Sequence, residues 1–390
     1  MTPTELPPLM AEAQSLSWRD RWLALRDRLL ASRGFQRRAA AFAPTRWIAR
    51  RRARELFDLV AGFVYSQVLF ACVRLGLFGM LAEGPQTLPA LAARLALSPE
   101  AAQRLLVAAI SLRLVERRRG ERFGLGVLGA PLVGNTAITA MVEHQAALYA
   151  DLRDPVALLR GEAAGAALAS YWPYAEAESS GLSSEVPADR VAAYSALMSA
   201  SQPLVADEIL DAYPLARHRC LLDIGGGEGT FLAAAAARAS GLQLILFDLP
   251  AVAERAQINF AARGLTQRAR AVGGDFLRDA LPRGADIATL VRVVHDHDDR
   301  EVLLLLKAVR AALPDEGVLL LAEPMAETPG AEAMGDAYFG FYLLAMGRGR
   351  PRSAARLAEM LVQAGFERPR LLRNRMPLQT RVMLAHCRKP

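Results

Sequence analysis

The sequence predicts an α/β protein: a doubly wound, Rossmann-like parallel sheet in the C-terminal half, preceded by an all-α module of winged-helix type. Three observations carry this prediction. From Arg219 onward, short β-rich runs alternate with helical stretches: Cys220 to Ile224, Leu242 to Phe247, Arg270 to Val272, Ile287 to Val294, Val318 to Leu321 and Thr380 to Cys387. The first of these runs leads directly into Gly225, Gly226, Gly227, Glu228 and Gly229 and then a helical pattern, Phe231 to Ala239. Further upstream, from Glu55 to about Leu132, the pattern is three helices followed by the hairpin-like Val115 to Leu125.

A chain of 390 residues is too long for one usual core and fits two domains with a terminal extension. The expected organisation is an arm over residues 1–54, a winged-helix-like dimerisation domain over 55–132, a helical connector and pocket segment over 133–215, and a ligand-binding domain over 216–390. A hydrophobic content of 53% excludes a disordered chain. Cys72, Cys220 and Cys387 lie far apart and the five histidines show no ligand spacing against them, so neither a disulfide framework nor a metal site is expected. The first residues lack the apolar segment of a secretory signal, and a cytoplasmic location is expected.

The formal net charge of +7 is local. Residues 1–56 hold twelve Arg against five acidic residues, which leaves the rest of the chain neutral and speaks against a general nucleic-acid surface. After a helix cap at Ser17, Trp18, Trp22, Leu25 and Leu29 recur at helical spacing with arginines on the other faces. Arg46, Trp47 and Arg50, Arg51, Arg52 and Arg54 repeat the mixture, so residues 17–54 suit the headgroup region of an anionic membrane. A helical arm packed on a partner subunit fits equally well. The apolar run Leu59 to Val73 has 15 residues, short of a bilayer span, and is expected to be a buried helix.

Winged-helix units often bind DNA, and Arg117, Arg118 and Arg119 are placed to touch phosphate. The helix in the reading position, Pro99 to Leu112, is mostly Ala and Leu, which favours a dimerisation and lid module over a nucleic-acid reader. Residues 133–215, broken by Pro155, Pro173, Pro187, Pro203 and Pro214, carry Tyr149, Tyr171, Trp172, Tyr174 and Tyr194 and read as pocket-building.

At the glycine turn the backbone can approach a ligand closely, and the following helix offers unpaired N–H groups. The next strand ends at Asp248, 25 residues after Asp223, where a carboxylate can accept both hydroxyls of a ribose. Dinucleotide-binding folds use the same device. Here, however, the pattern is G-x-G-x-G directly after Asp223, with Gly225 and Gly227 leading it. A carboxylate at 223 suits the ammonium of a methionine moiety and would repel a pyrophosphate, which favours S-adenosylmethionine. Asp275 and Phe276, closing the third strand, offer an acceptor and a ring for an adenine; each of these aspartates can also be a loop or cap residue.

The fourth strand runs into Arg292, Val293, Val294, His295, Asp296, His297, Asp298, Asp299, and the fifth ends in Glu323 and Pro324. Neighbouring strand ends share the ligand crevice, so His295 and Glu323 form a pair in which the carboxylate sets the imidazole tautomer. Such a pair is a general base near neutral pH. A buried core histidine followed by helix caps at Asp296 and Asp298 is the structural alternative, and His297 is read that way.

Through Asp223 to Gly229, Phe247 to Pro250, Gly274 to Phe276, Arg292 to Asp299 and Ala322 to Pro324, about residues 55–390 resemble the dimeric small-molecule O-methyltransferases that include the caffeate and acetylserotonin enzymes. The resemblance implies a homodimer using S-adenosyl-L-methionine, with His295 as base, Asp296 as its neighbouring acid and Glu323 as the orienting residue. It also implies cofactor contacts at Gly225, Asp248, Asp275, Phe276 and Arg292, with Met198 over the sulfonium. Two positions depart: the tryptophan usual after His-Asp is His297, and a second glutamate of the plant phenol enzymes is replaced by Ala354, which argues against a plant-type phenol. The Arg- and Trp-rich arm before Phe57 to Leu69, with the string from Arg292 to Asp299, resembles the branch from phototrophic purple bacteria that methylates 1-hydroxycarotenoids. The substrate implied is a carotenoid collected at the intracytoplasmic membrane. Phe339, Phe341, Tyr342, Leu343, Leu344 and Met346 are candidates for lining its pocket. An aromatic or polyketide hydroxyl is the alternative substrate, and a regulator that senses S-adenosylmethionine and binds DNA is the alternative class.

Overall fold

The computed structural model describes residues 17–162, 167–168 and 201–388, and the chain divides into two compact units at Ala71/Cys72. In the first unit the helix Trp18–Ala31 starts where Ser17 Oγ accepts the Asp20 N–H at 3.2 Å. Arg33–Ala41 follows, and neither helix has a buried residue. The third helix, Ala43–Arg74, runs for 32 residues. The apolar run within it was expected to be buried. Instead only Cys72 and Val73 are, while Leu59 and Phe63 are 81% and 71% exposed. The helix begins well before the apolar run, and no residue of the two short helices preceding it is buried, so neither covers it. By length and composition it is long and apolar enough to cross a membrane, which the 15-residue run alone is not.

The second unit opens with the helices Leu77–Ala82, Leu88–Arg94 and Pro99–Ser111, the last capped by Ser98. Added to them is a wing of three strands, β1 (Gln86–Thr87), β2 (Val115–Arg118) and β3 (Arg122–Leu125), in the order β1-β3-β2 and all antiparallel. An all-α reading omits β1 because two residues carry no periodicity. Arg118 pairs with Glu116 at 2.7 Å and Arg117 lies over the Phe123 ring, so both arginines are engaged within the wing.

The remaining sheet has seven strands: β4 (Cys220–Ile224), β5 (Gln243–Asp248), β6 (Ala269–Gly273), β7 (Ile287–Val291), β8 (Val318–Glu323), β9 (Phe366–Leu371) and β10 (Arg381–Cys387). Their order is β6-β5-β4-β7-β8-β10-β9. The first five are parallel, as the alternation predicts, but β10 runs antiparallel to both neighbours, so the sheet is mixed rather than wholly parallel. The sequence reading missed β9: its Glu-Arg-Pro-Arg centre looks like a loop, and Pro369 is tolerated because the strand lies on the sheet edge.

Apolar alternation places a core on each face. Along β8, Leu319 and Leu321 join the core with Leu305, Leu306 and Val309 of the helix Asp299–Ala312, and with Leu357 and Leu361 of the helix Ala354–Gln363. Leu320 and Ala322 pack on the opposite core with Phe231 of Thr230–Arg238, Phe260 of Pro250–Ala262, and Ile209 of the helix through 201–212. At the tip of the glycine turn, Gly229 has φ +77°, and a Cβ there would lie 2.5 Å from the Phe260 ring. Gly229→Ala therefore combines left-handed strain with a clash against a buried ring, and thermal or denaturant unfolding should show a loss of about 2–4 kcal/mol. Wild-type stability would show that the turn adapts freely.

Candidate active site

The strand ends β4, β5, β7 and β8 bring most of the sequence candidates to one edge of the sheet. Asp223 is buried at the end of β4, where Oδ1 accepts the Thr289 hydroxyl at 2.6 Å. Its Oδ2 has no hydrogen-bond partner among the described residues, and burial pushes the carboxyl up to about 7. A Cβ on Gly226 would lie 2.5 Å from this oxygen, so the glycine turn can sit directly over the acid only without a side chain. Gly225 and Gly227 take φ of +67° and +59°, and a Cβ at 225 would lie 2.7 Å from Val293. The glycine turn and the segment leaving β7 thus abut.

Asp248 fixes the turn from β5: Oδ2 accepts the Gly227 N–H and Oδ1 the Leu249 N–H, both at 2.8 Å. Burial pushes it up to about 6. Each oxygen keeps a lone pair beyond its backbone bond, so an acceptor for ribose hydroxyls remains. The orphaned Asp223 oxygen, the side-chain-free turn and the Asp248 acceptors fit a ligand with an amine and a ribose. Asp275 follows the alternative reading more closely: Oδ1 accepts the Leu277 N–H at 2.9 Å, capping a turn, and Oδ2 lies 3.4 Å from Arg278. Phe276 meets His297 edge-on at 5.2 Å, so the two rings form one wall. Met198 lies outside the described residues, as do Tyr171, Trp172, Tyr174 and Tyr194.

Beyond β7 the chain turns through Arg292 at φ +59°, a left-handed conformation that costs a non-glycine residue about 1–3 kcal/mol. Arg292 Nη1 donates to Ser201 Oγ at 2.8 Å, and its N–H donates to the Ala322 carbonyl on β8. The single turn Val294–Asp296 follows. Glu323, at the end of β8, holds it: Oε1 accepts the N–H groups of Val293 and Val294 at 3.0 and 2.7 Å, and Oε2 pairs with His295 Nδ1. A carboxylate only accepts, so the Nδ1 proton is assigned by this bond and Nε2 is the free-to-exchange nitrogen. Asp296 Oδ1 lies 3.2 Å from that Nε2.

His295, Asp296 and Glu323 are all buried. Burial disfavours the imidazolium, but the carboxylates of Asp296 and Glu323 outweigh it and raise His295 above the ordinary histidine range. Asp296 is pushed up to about 6, by burial and against the pull of His295. Nε2 thus faces Asp296, and the imidazole is placed to act as a base where another group takes the position of Asp296.

Several site features gave no signal in the sequence. Thr289 reads as an ordinary strand residue, yet partners Asp223. A π-helical segment, Ala333–Tyr338, continues into the helix Phe339–Met346 and turns Tyr338, Phe339 and Tyr342 into a cluster. Phe339 lies edge-on to His295 at 6.0 Å. The Tyr338 hydroxyl accepts from Gln145 Nε2 at 2.6 Å, and that of Tyr342 pairs with His144 Nε2 at 2.9 Å. Of the pocket candidates, Phe339 stands beside the base, and Tyr342 packs on Phe339 at 6.2 Å. Leu343 and Met346 instead pack into a core with Leu148, Leu158 and Leu168, because the helix buries its opposite stripe there.

Comparison with known proteins matches residues 149–367 to the O-methyltransferase domain and residues 57–141 to the O-methyltransferase dimerisation domain. The chain is 46% identical to demethylspheroidene O-methyltransferase of Cereibacter sphaeroides over 339 residues, covering 87% of this chain and 88% of that one. It is 33% identical to acetylserotonin O-methyltransferase of Mus musculus, covering 83% and 86%. Among solved structures, human N-acetylserotonin methyltransferase in complex with SAM superposes with a TM-score of 0.67 at 24% identity, over 87% of this chain and 98% of that one.

Since both carboxylates raise His295, removing one lowers it. Asp296→Asn should move the His295 titration to lower pH, read by NMR of 15N-histidine protein, in which only five histidines contribute. An unmoved titration would mean that Asp296 exerts no electrostatic hold on the ring.

Proposed function

The chain belongs to the class I S-adenosylmethionine-dependent O-methyltransferase family, and on that premise we propose that it methylates the tertiary 1-hydroxyl of an acyclic carotenoid, as a homodimer docked on the cytoplasmic face of an anionic membrane. The observation that carries the catalytic part is the His295–Glu323 pair, set on adjacent strand ends against the glycine turn. Asp223 and Asp248, with Gly225 and Gly227, are the residues that would hold S-adenosylmethionine, whose sulfonium supplies an electrophilic methyl group. Asp275, Phe276 and Arg292 border that region, the first chiefly as a turn cap.

A tertiary alcohol is a far weaker acid than a phenol, so its proton leaves as the oxygen becomes methylated, not beforehand. Nε2 of His295 takes that proton, and Glu323 stabilises the resulting imidazolium through Nδ1. The hydroxyl must first take the place of Asp296 beside Nε2. Desolvation of the buried pair makes this exchange effective only for a substrate that excludes water. The Phe339 ring supports an apolar, unsaturated substrate: it lies edge-on to His295, and the hydroxyls of Tyr338 and Tyr342, whose rings pack on it, are engaged by Gln145 and His144.

The carotenoid assignment also draws on the demethylspheroidene relative and on the arm. Residues 17–54 precede both matched domains, so the dimerisation domain does not account for them. Trp18, Trp22 and Trp47 are exposed there among the arginines, and each basic residue near an anionic surface contributes about 1 kcal/mol. The apolar stretch beyond Phe57 falls within the dimerisation domain, and a second copy would cover it.

Labelled-methyl transfer to detergent-dispersed 1-hydroxycarotenoids, beside a panel of phenols and polyketides, tests the substrate. Transfer to the carotenoid is expected, and transfer to a phenol alone would overturn it. His295→Ala should keep cofactor binding and lose about 100-fold or more of turnover; retained turnover would remove the histidine from its role. Deletion of residues 1–50 should abolish sedimentation with phosphatidylglycerol vesicles at moderate salt, whereas undiminished sedimentation would make the arm a packing element.

A further inference from the structure

We propose that Arg352 is a positioning residue for the base, a guanidinium clamp that fixes His295 relative to Glu323; this rests on the reading of His295 given above. Arg352 is 5% exposed. Its Nη1 donates to the Val294 carbonyl at 2.8 Å and its Nη2 to the His297 carbonyl at 2.6 Å. These carbonyls flank His295 and Asp296, so one planar group spans the segment that carries both. The Nε edge donates to Asp299 Oδ1 at 2.8 Å, which supplies the counter-charge.

The same strap holds the carbonyl between those two. Arg350 N–H donates to the His295 carbonyl at 2.9 Å. Gly349, at φ +74°, passes so close that a Cβ would lie 2.3 Å from that oxygen. The carbonyls of residues 294, 295 and 297 are thus all held by residues 349–352. On its other side, the Arg352 carbonyl accepts the Ala326 N–H at 3.0 Å, and Ala326 bridges to Ser353 in parallel. Ala326 lies three residues beyond Glu323. One residue therefore ties down both the turn bearing the imidazole and the segment leaving the strand that bears its carboxylate.

Lysine cannot replace this arrangement. An ammonium on a flexible stem can reach Asp299 or one carbonyl, while the guanidinium fork addresses two carbonyls and the carboxylate at fixed angles. Arg356 provides the control, since it pairs with Asp299 at 2.9 Å on the surface side and bonds to none of those carbonyls.

The test uses full-length protein with S-adenosylhomocysteine as the binding probe. Arg352→Lys should keep S-adenosylhomocysteine affinity within about threefold and lower kcat at least 30-fold with KM nearly unchanged. The His295 titration, followed by 15N-histidine NMR, should move to lower pH as the ring loosens from its carboxylates. Gly349→Ala removes no donor, but its Cβ would force the His295 and Asp296 backbone to shift, and it should reproduce both effects; Arg356→Ala should reproduce neither. A purely structural role would reduce folded protein while leaving the His295 titration in place. Wild-type kcat and titration in Arg352→Lys would overturn the proposal, and if that variant does not fold, the same result in Gly349→Ala would do so. His295→Ala separates the two readings: full turnover there removes the base itself, whereas loss there beside unaltered Arg352 and Gly349 variants removes only the clamp.

Discussion

The carboxylate of Glu323 is the interaction on which the site depends. One oxygen accepts two successive backbone N–H groups from the segment leaving β7, and the other pairs with His295 Nδ1. A buried anion needs such partners, and the backbone of Val293 and Val294 needs acceptors, so each satisfies the other's requirement. The segment cannot continue as strand once it bends to reach Glu323. Arg292 takes up that bend in a left-handed conformation. The fold thus makes the proposed base by turning a strand end over onto its neighbour.

The same economy of space governs the cofactor side. Asp223 lies under the glycine turn rather than in front of it, braced by Thr289, while Asp248 pins the turn from the adjacent strand. Burial raises both acids, with the charge of Asp248 adding to the rise at Asp223, and Asp223 retains an oxygen with no partner among the described residues. Electrostatic strain of this kind is relieved by a cation, and the S-adenosylmethionine dependence of the family agrees with a site poised for one.

How much of this was legible depended on whether the signal was local. The parallel strands, the glycine turn and the placing of His295 and Glu323 on adjacent strand ends all follow from short-range pattern and strand order. The antiparallel end of the sheet did not, because Phe366–Leu371 carries arginines and a proline that only an edge position explains. Arg352 and Gly349 were invisible for a different reason. They sit in an irregular stretch with no periodicity, and their contacts lie about fifty residues away in sequence. The exposed length of Ala43–Arg74 was misread because a hydrophobic run does not say whether its cover comes from the same chain.

The position of the basic arm ahead of a dimerisation domain bears on molecular symmetry. A two-fold assembly carries two copies of residues 17–54, and both can meet one flat lipid surface only when the symmetry axis stands close to the membrane normal. Were the arms to bind lipid as proposed, attachment of the first would raise the effective concentration of the second, so retention would depend on avidity and each arm alone could remain weak. The orientation also equates the two catalytic centres with respect to the bilayer. Both would draw substrate from, and return product to, the same leaflet.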